Sequence, residues 1–249
     1  MAVRIHLEEH VLRLTLARPE KKNALIGPMY EALTAALQRA EADPDVHVVL
    51  FDAEGDSFSA GNDLSEFAAV ASGQIPPEAL KVRGFLDALA AATTPYVAAA
   101  QGSAIGIGAT LLLHCDLVYV ADDVKLSTPF VNLALVPEAA SSMLLPERIG
   151  HARAFAMFAL GETIDAKNAV ELGLANALVP RASLHEHAFA MAKALAMRPA
   201  GALRATKKLM RDAGAVRDAM AREVKVFGER LQSEEALAAF KAFASRKGV

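Results

Sequence analysis

Residues 95–108 read PYVAAAQGSAIGIG, an apolar run that passes directly into a glycine-rich connection. Residues 96–100 suit a short buried strand, and Thr94 ends the preceding helix because the residue before a proline avoids the helical region. The connection over residues 102–108 consists of small residues, which let a ligand approach the backbone closely. If a helix starts near Ile107, its first N–H groups have no partner inside that helix. The stretch therefore predicts a strand and a tight turn that offers free N–H donors.

A second segment of the same character lies earlier in the chain, where residues 58–64 read FSAGNDL. One N–H from each segment would clamp an oxygen that becomes negative during a reaction, and such a donor is commonly worth about 3–4 kcal/mol. The run from Gly106 to Gly108 is not a dinucleotide-binding fingerprint, because Leu111 stands where the third glycine should be. The sequence also lacks the lysine of a phosphate-binding P-loop.

Outside these segments, short apolar runs alternate with helical patterns. Strands are predicted over residues 11–16, 46–52, 96–100 and 117–120, and helices over residues 28–42, 78–91 and 110–115. After Ser142 nearly every segment has helical periodicity, namely residues 152–160, 166–172, 182–197, 203–211, 216–231 and 234–245. This order predicts an α/β core followed by a helical section. We place the boundary near Met197, between a core of residues 1–197 and a C-terminal segment of residues 198–249.

The composition excludes several classes of protein. The chain has 249 residues, 53% of them hydrophobic, which is enough to bury a large core without metals or disulfides. The net charge is −3 and no basic block is present, which argues against nucleic-acid binding. The single Cys115 has no internal disulfide partner, as is usual in a reducing compartment. The longest apolar stretch, residues 104–113, is too short to span a bilayer. Residues 1–16 lack the apolar core of a signal peptide, so we expect a cytoplasmic protein without a membrane partner.

Five segments, in order, resemble motifs of the crotonase (enoyl-CoA hydratase/isomerase) superfamily. They are RPEKKNAL at residues 18–25, FSAGNDL at residues 58–64, PYVAAAQG at residues 95–102, CDL at residues 115–117 and FKAFASRK at residues 240–247. Each motif alone is weak evidence, but five in the expected order cover nearly the whole chain. The resemblance implies an α/β fold built as a spiral of ββα units, with a helical C-terminal oligomerisation segment that commonly forms trimers or hexamers.

The resemblance also implies a site. The substrate would be an acyl-CoA thioester, so that coenzyme A enters as part of the substrate and no separate cofactor or metal is expected. The backbone N–H groups of Ala60 and Ile107 would hold the thioester oxygen. Lys21 and Lys22, and Arg246 and Lys247 from a neighbouring subunit, would meet the CoA phosphates. The other residues expected to contact the substrate are Ser59, Gly61, Asp63, Leu64, Gly106 and Phe130.

The acid–base residues of ordinary hydratases are missing. Hydratases of this superfamily carry one glutamate just after the glycine-rich turn, where this chain has Thr110, and a second where it has Phe130. Hydration requires a group that activates water and a group that delivers a proton. Neither a threonine nor a phenylalanine performs these tasks well, so the sequence argues against ordinary hydration.

A different carboxylate stands in the run PEAASS at residues 137–142, which resembles a segment of the peroxisomal-type Δ3,Δ2-enoyl-CoA isomerases. In that subgroup the glutamate is the catalytic base, which implies the same role for Glu138. Its apolar neighbours Leu135 and Val136 are expected to raise its pKa. The alternative for Glu138 is a carboxylate that stabilises the start of a helix. For the chain, the alternatives are a 2-enoyl-CoA hydratase with unusual acid–base groups and a non-catalytic acyl-CoA-binding protein.

Several other polar residues have simpler interpretations. Cys115 is expected to be buried and structural rather than a nucleophile. Ser141 and Ser142 are expected to cap a helix. His185 and His187 lack metal-ligand spacing and are expected at the surface, and Asp63 is expected to form a turn.

Overall fold

A computed structural model of the chain describes residues 2–76 and 79–246, without the side chains of residues 244 and 246. The strands are β1 (Val3–Glu8), β2 (Val11–Leu16), β3 (Val48–Ala53), β4 (Tyr96–Ala100), β5 (Ser103–Ile105), β6 (Leu117–Ala121), β7 (Lys125–Ser127), β8 (Thr163–Asp165) and β9 (Ala177–Val179). The helices of the core are α1 (Gly27–Ala42), α2 (Leu64–Ala71), α3 (Val82–Ala91), α4 (Ile107–Thr110), α5 (Ser141–Ile149), α6 (His151–Leu160), α7 (Ala166–Glu171) and α8 (Leu184–Ala196). The chain ends with α9 (Ala200–Met210), α10 (Ala213–Leu231) and α11 (Glu234–Arg246).

The strands form two sheets. The larger has the order β1-β2-β3-β4-β6-β9, in which β1 and β2 are antiparallel and every other pair is parallel. The smaller has the order β5-β7-β8. Strands β3 and β4 are buried along their whole length. Parallel strands that are covered on both faces have continuous apolar sequences, which is why these two were recognisable in the sequence.

The chain winds between the two sheets in repeated turns. β4 belongs to the large sheet, β5 to the small one, and α4 follows directly. β6 and β7 repeat this pattern. After β3, Ser59 pairs with Ala104 of β5 before α2 begins, which gives an earlier turn of the same kind. This is the predicted spiral of ββα units.

The outer face of the large sheet is covered by α8. Its alanines, Ala188 and Ala192, pack on Val11, Leu50 and Val97 in a separate apolar cluster. Small side chains on one helix stripe let the helix lie close to the sheet. The opposite face carries the main core, to which α1, α3 and α10 contribute.

The C-terminal helices pack back onto the same main core. Val216, Met220 and Phe240 are buried within it. Lys207 of α9 is also buried, and its Nζ donates to Asp116 Oδ2 at 2.8 Å and to the Thr94 carbonyl at 2.9 Å. Only the Lys207 side of this ion pair is buried, so removal of Asp116 would leave a buried charge without its compensating partner. The boundary at residue 197 stays a prediction, since these contacts join the two parts without testing whether each folds alone.

Five strands and two helices are additional to the sequence-based prediction: β1, β5, β7, β8, β9, α2 and α5. Four of the five strands have only three residues, too few to display a periodicity. The predicted turn over residues 102–108 contains one of them, β5. The predicted helix over residues 110–115 is the end of α4 followed by a 3₁₀ turn.

His185 and His187 were predicted at the surface but are half-buried, because α8 lies flat on the sheet. His185 contacts the buried Asp52, and the His187 ring packs edge-on against Tyr119. Within the described part of the chain, no helix combines the length and apolar character that crossing a bilayer requires.

Gly102 is the residue on which the transition from β4 to β5 depends. Its φ is +54°, and a Cβ there would lie 1.9 Å from the Asp56 carbonyl oxygen. We expect Gly102→Ala to lower the free energy of unfolding by at least ~3 kcal/mol, through overpacking added to the cost of a left-handed conformation. Gly173→Ala is the matched control, since Gly173 has φ +75° and open space around it. Chemical denaturation should show a loss of only about 1 kcal/mol for the control, and equal losses would refute the steric explanation.

Candidate active site

The two small-residue segments lie side by side in the structure. The Ser59 N–H donates to the Ser103 carbonyl at 3.0 Å, and the Ile105 N–H donates to the Ser59 carbonyl at 2.9 Å. These bonds form the parallel pairing between Ser59 and Ala104. The segments predicted to act together are therefore in direct backbone contact.

Two glycines make this contact possible. A Cβ on Gly61, whose φ is +88°, would lie 2.7 Å from the Ile105 carbonyl oxygen. A Cβ on Gly108 would lie 2.7 Å from the Ser59 carbonyl oxygen. The sequence suggested that small residues admit a ligand to the backbone. At these two positions they instead admit one backbone segment to the other.

The hydrogen bonding of residues 58–63 corrects the prediction that the Ala60 N–H is a free oxyanion donor. The Ala60 N–H donates to the Lys22 carbonyl at 2.8 Å, so it is already engaged. The N–H groups of Phe58, Ser59, Gly61 and Asp63 also have acceptors within the chain. Between residues 58 and 63 of the described chain, Asn62 alone has an N–H without an acceptor. A free donor exists in this segment, two residues beyond the predicted position.

Ile107 fits its prediction in position. It begins α4, directly after Gly106, whose N–H donates to the Ser127 carbonyl at 2.9 Å. Among the residues that the structure describes, no acceptor takes the Ile107 N–H. Isoleucine is tolerated there because only its backbone is needed and a helix start has negative φ. Asn62 and Ile107 thus offer one unpaired N–H from each of the two segments.

Glu138 lies beside Thr110, the residue that occupies the position of a hydratase glutamate. Thr110 Oγ1 donates to Glu138 Oε1 at 2.7 Å, and both side chains are buried. Thr110 follows Ile107 by three residues on α4, so the two share a helix face. The pKa of Glu138 is raised to about 8, because burial and, to a smaller extent, the charge of Glu223 raise it by more than the hydrogen bond from Thr110 lowers it. A solvated helix-start carboxylate would not be buried in this way.

Tyr30 of α1 bonds to Asn62 and is close enough to Glu138 to be affected by its charge, and it was missed in the sequence. Its hydroxyl donates to Asn62 Oδ1 at 2.5 Å. Burial raises the pKa of Tyr30 well above 10, and the nearby carboxyls of Glu138 and Glu66 add to this rise. The tyrosine stays a neutral hydrogen-bond donor as a result. In the sequence it looked like an ordinary core residue of an amphipathic helix.

The turn that carries Glu138 is also held differently from the prediction. Ser141 and Ser142 do not cap α5 through their hydroxyls. The carboxylate of Glu223 on α10 accepts the Ala140 N–H at 2.6 Å and the Ser142 N–H at 2.8 Å instead. A signal for this existed, because Glu223 lies in the apolar register of Val216 and Met220 on an amphipathic helix.

Several motif residues support the backbone. Asn23 Nδ2 donates to the carbonyls of Glu54 and Ser57, each at 2.8 Å. Asp63 forms an ion pair with Arg18 at 2.8 Å, and its carboxylate caps α2, as a turn-forming residue should. Burial raises the pKa of Asp63, but the bonds from Arg18 and Ser65 outweigh it and leave the pKa below its usual value. Cys115 is buried, which raises the pKa of its thiol to about 12 and fits a structural role.

A cleft of about 770 Å³ runs along the two segments. Glu20, Lys21 and Lys22 line one part of it, whereas Phe67, Phe227 and Phe243 give another part an apolar wall. The predicted site residues that line the cleft are Lys21, Lys22, Ala60, Gly61, Asp63, Leu64, Gly106 and Phe130. Ser59, Ile107 and Glu138 do not line it and are buried. Lys247 and the side chain of Arg246 lie outside the described residues.

Comparison with known proteins places this arrangement in a family. Residues 6–248 match the sequence family described as enoyl-CoA hydratase/isomerase. The chain is 32% identical over 245 residues to enoyl-CoA delta isomerase 2 of Rattus norvegicus, covering 96% of this chain and 62% of that protein. It therefore spans less than two thirds of the length of that relative. It is 30% identical over 251 residues to a probable enoyl-CoA hydratase of Bacillus subtilis (strain 168), covering 99% and 96% of the two chains.

A solved structure agrees with both sequence comparisons. The enoyl-CoA hydratase/isomerase from Pseudoalteromonas atlantica T6c superposes with a TM-score of 0.93 at 36% identity, covering 99% of this chain and 98% of that one. Two adjoining glycine-dependent segments, an unpaired N–H on each and a buried carboxyl beside them thus occur in a fold that the family shares. The chain belongs to the enoyl-CoA hydratase/isomerase family.

Proposed function

We propose that the chain converts a 3-enoyl-CoA into a 2-enoyl-CoA, with Glu138 as the single acid and base. The observation that carries this proposal is the position of the Glu138 carboxyl, buried against Thr110 one helical turn from the unpaired Ile107 N–H. A carboxyl with a pKa of about 8 is close to the working pH, which suits a group that must both take and return a proton.

The reaction requires one carboxylate and two donors. Ionised Glu138 removes a proton from C2, and the electron pair moves onto the thioester oxygen to form an enolate. The N–H groups of Asn62 and Ile107 stabilise that oxygen. The enolate then collapses with the double bond between C2 and C3, and C4 takes the proton back from Glu138. No water molecule and no second acid are consumed.

The alternative reaction is hydration of a 2-enoyl-CoA, and relatives bearing both names exist. The chain offers less for hydration, because Thr110 and Phe130 supply no second carboxylate. The relatives alone do not separate these reactions, so the assignment depends on Glu138. A third possibility is a protein that binds acyl-CoA without turning it over.

The cleft suggests how such a substrate would lie. Lys21 and Lys22 are exposed cations at one part of it and would meet the phosphates of coenzyme A. The aromatic wall that includes Phe67 and Phe227 would take an aliphatic acyl chain. Assembly into trimers or hexamers, which the resemblance implies, and a cytoplasmic location, which the sequence predicts, complete the proposal.

Glu138→Gln tests the assignment directly. The amide keeps the shape and one acceptor oxygen but cannot take a proton, so we expect isomerase turnover to fall by at least ~100-fold. The formation of the conjugated thioester, followed by ultraviolet absorbance, measures turnover, and calorimetry should show unchanged acyl-CoA affinity. Glu147→Gln, an exposed site on α5, is the matched control.

Undiminished isomerase turnover in Glu138→Gln would refute the proposal. Hydration of a 2-enoyl-CoA by the wild-type chain, with no isomerisation, would favour the hypothesis that the chain is a hydratase. Binding of acyl-CoA without either reaction would favour the hypothesis of a non-catalytic acyl-CoA-binding protein.

The pKa of Glu138 also predicts how stability depends on pH. The pKa rises from 4.5 to about 8 on folding, so the unfolded chain binds fewer protons between these values and stability falls as pH rises through them. Glu138→Gln removes this loss. We expect the variant to match the wild type near pH 4 and to exceed its free energy of unfolding by ~3–5 kcal/mol above pH 8. Urea denaturation across this range measures the difference, and a constant gap at every pH would contradict the burial argument.

Thr110→Val tests the hydrogen bond to Glu138. Because the donor lowers the pKa of Glu138, its removal should raise that pKa and move the acid limb of the kcat–pH profile to higher pH. Thr128→Val is the control, since Thr128 is buried and its hydroxyl has no partner among the described residues. If the acid limb of the kcat–pH profile stays at the same pH in Thr110→Val, the ionisation of Glu138 does not determine that limb.

A further inference from the structure

The turn that carries Glu138 has an unusual backbone. Ala139 and Ala140 follow the glutamate with φ values of +60° and +56°. Residues with a Cβ are costly in this left-handed region, and two in succession are rarer still. Such a conformation persists only where neighbouring groups hold it. Residues 137–140, here named the Glu138 turn, therefore need external support.

Glu223 provides support from the C-terminal helices. It lies on α10, is buried, and bonds to the backbone N–H groups of Ala140 and Ser142 through its two separate oxygens, at 2.6 and 2.8 Å. Charged acceptors make short and strong bonds to N–H groups. One carboxylate thus caps the start of α5 and fixes the end of the Glu138 turn together.

His114 supports the turn from the other side. Its Nε2 donates to the Ala139 carbonyl at 2.7 Å, while its Nδ1 accepts from Arg211 at 2.5 Å. Burial, together with the charge of Arg211, lowers the pKa of His114 to about 3, so the ring is neutral and Nε2 carries the proton. Arg211 directly follows α9, so the second support also comes from the C-terminal segment.

We propose that Glu223 is a positioning residue for the reaction, which places Glu138 by holding the Glu138 turn through two hydrogen bonds. This proposal rests on the proposed function of Glu138. Both oxygens of Glu223 are engaged by the backbone N–H groups of Ala140 and Ser142, so Glu223 acts on Glu138 through the turn.

Because Glu223 carries a negative charge, we can predict the direction in which the pKa of Glu138 changes when Glu223 is replaced. Its negative charge raises the pKa of Glu138, so its removal should lower that pKa. Of the other groups around Glu138, Thr110 does not titrate, and Tyr30 and His114 stay neutral over the assay range. A shift of the Glu138 titration in a Glu223 variant would therefore report the charge at position 223.

Glu223→Gln is the decisive variant. We expect kcat to fall at least ~10-fold through misplacement of Glu138, with KM within about twofold. The acid limb of the kcat–pH profile should move to lower pH, opposite to its movement in Thr110→Val. Glu229→Gln, an exposed glutamate on the same helix, is the matched control and should change neither. Glu223→Asp keeps the charge but shortens the reach, so it should lower kcat while leaving the limb in place.

A second measurement does not depend on activity. NMR titration of ¹³C-labelled glutamate carboxyls, with Glu138 assigned by the loss of its signal in Glu138→Gln, should show a lower pKa for Glu138 in Glu223→Gln. A folded Glu223→Gln variant with unchanged kcat, limb and Glu138 pKa would overturn the proposal and leave Glu223 a purely structural residue. If the chain isomerises no 3-enoyl-CoA but the Glu138 pKa still shifts, the proposed function fails and the electrostatic link to Glu223 stands.

Discussion

The close contact between two backbone segments is the constraint on which the site depends. Residues 58–62 lie against residues 103–108, and the approach is possible only because Gly61 and Gly108 lack a Cβ. The contact satisfies most of the backbone donors in both segments but leaves those of Asn62 and Ile107 without partners among the described residues. Unpaired buried donors are unusual in proteins because they lose their hydrogen bonds to water. Ile107 is buried, whereas Asn62 is partly exposed and lines the cleft, and a ligand oxygen would give either N–H the acceptor that it lacks.

The buried carboxyl of Glu138 is a second feature that lowers the stability of the fold. Its raised pKa means that the ionised form is disfavoured, so the fold loses stability as the pH rises and Glu138 ionises. Thr110 offsets part of this cost with its hydrogen bond. The Thr110 hydroxyl thus stabilises the ionised form of the Glu138 carboxyl, the form that the proposed function requires.

The C-terminal helices are integrated with the site by polar contacts as well as by packing. Lys207 reaches Asp116 and the Thr94 carbonyl, and Arg211 orients His114. Glu223 closes the turn beyond Glu138. Lys207, His114 and Glu223 are buried, so each lost water on folding and is compensated by the contacts of this arrangement. The segment predicted for oligomerisation therefore also shapes the core against which it packs.

The sequence by itself determined the fold class, the main strands and helices, and the segments that meet at the site, because buried parallel strands and glycine-rich turns leave local patterns. It singled out Glu138 as a candidate base, since that residue stands in a short motif. It proposed the Ala60 N–H as a donor but could not show that this N–H is engaged, because its hydrogen bond to the Lys22 carbonyl joins residues 38 positions apart. Only the tertiary structure decided which N–H groups stay free, and only it brought Tyr30, Thr110 and Glu223 around one carboxyl. Such contacts join residues that are far apart in the sequence, so no local sequence pattern reveals them.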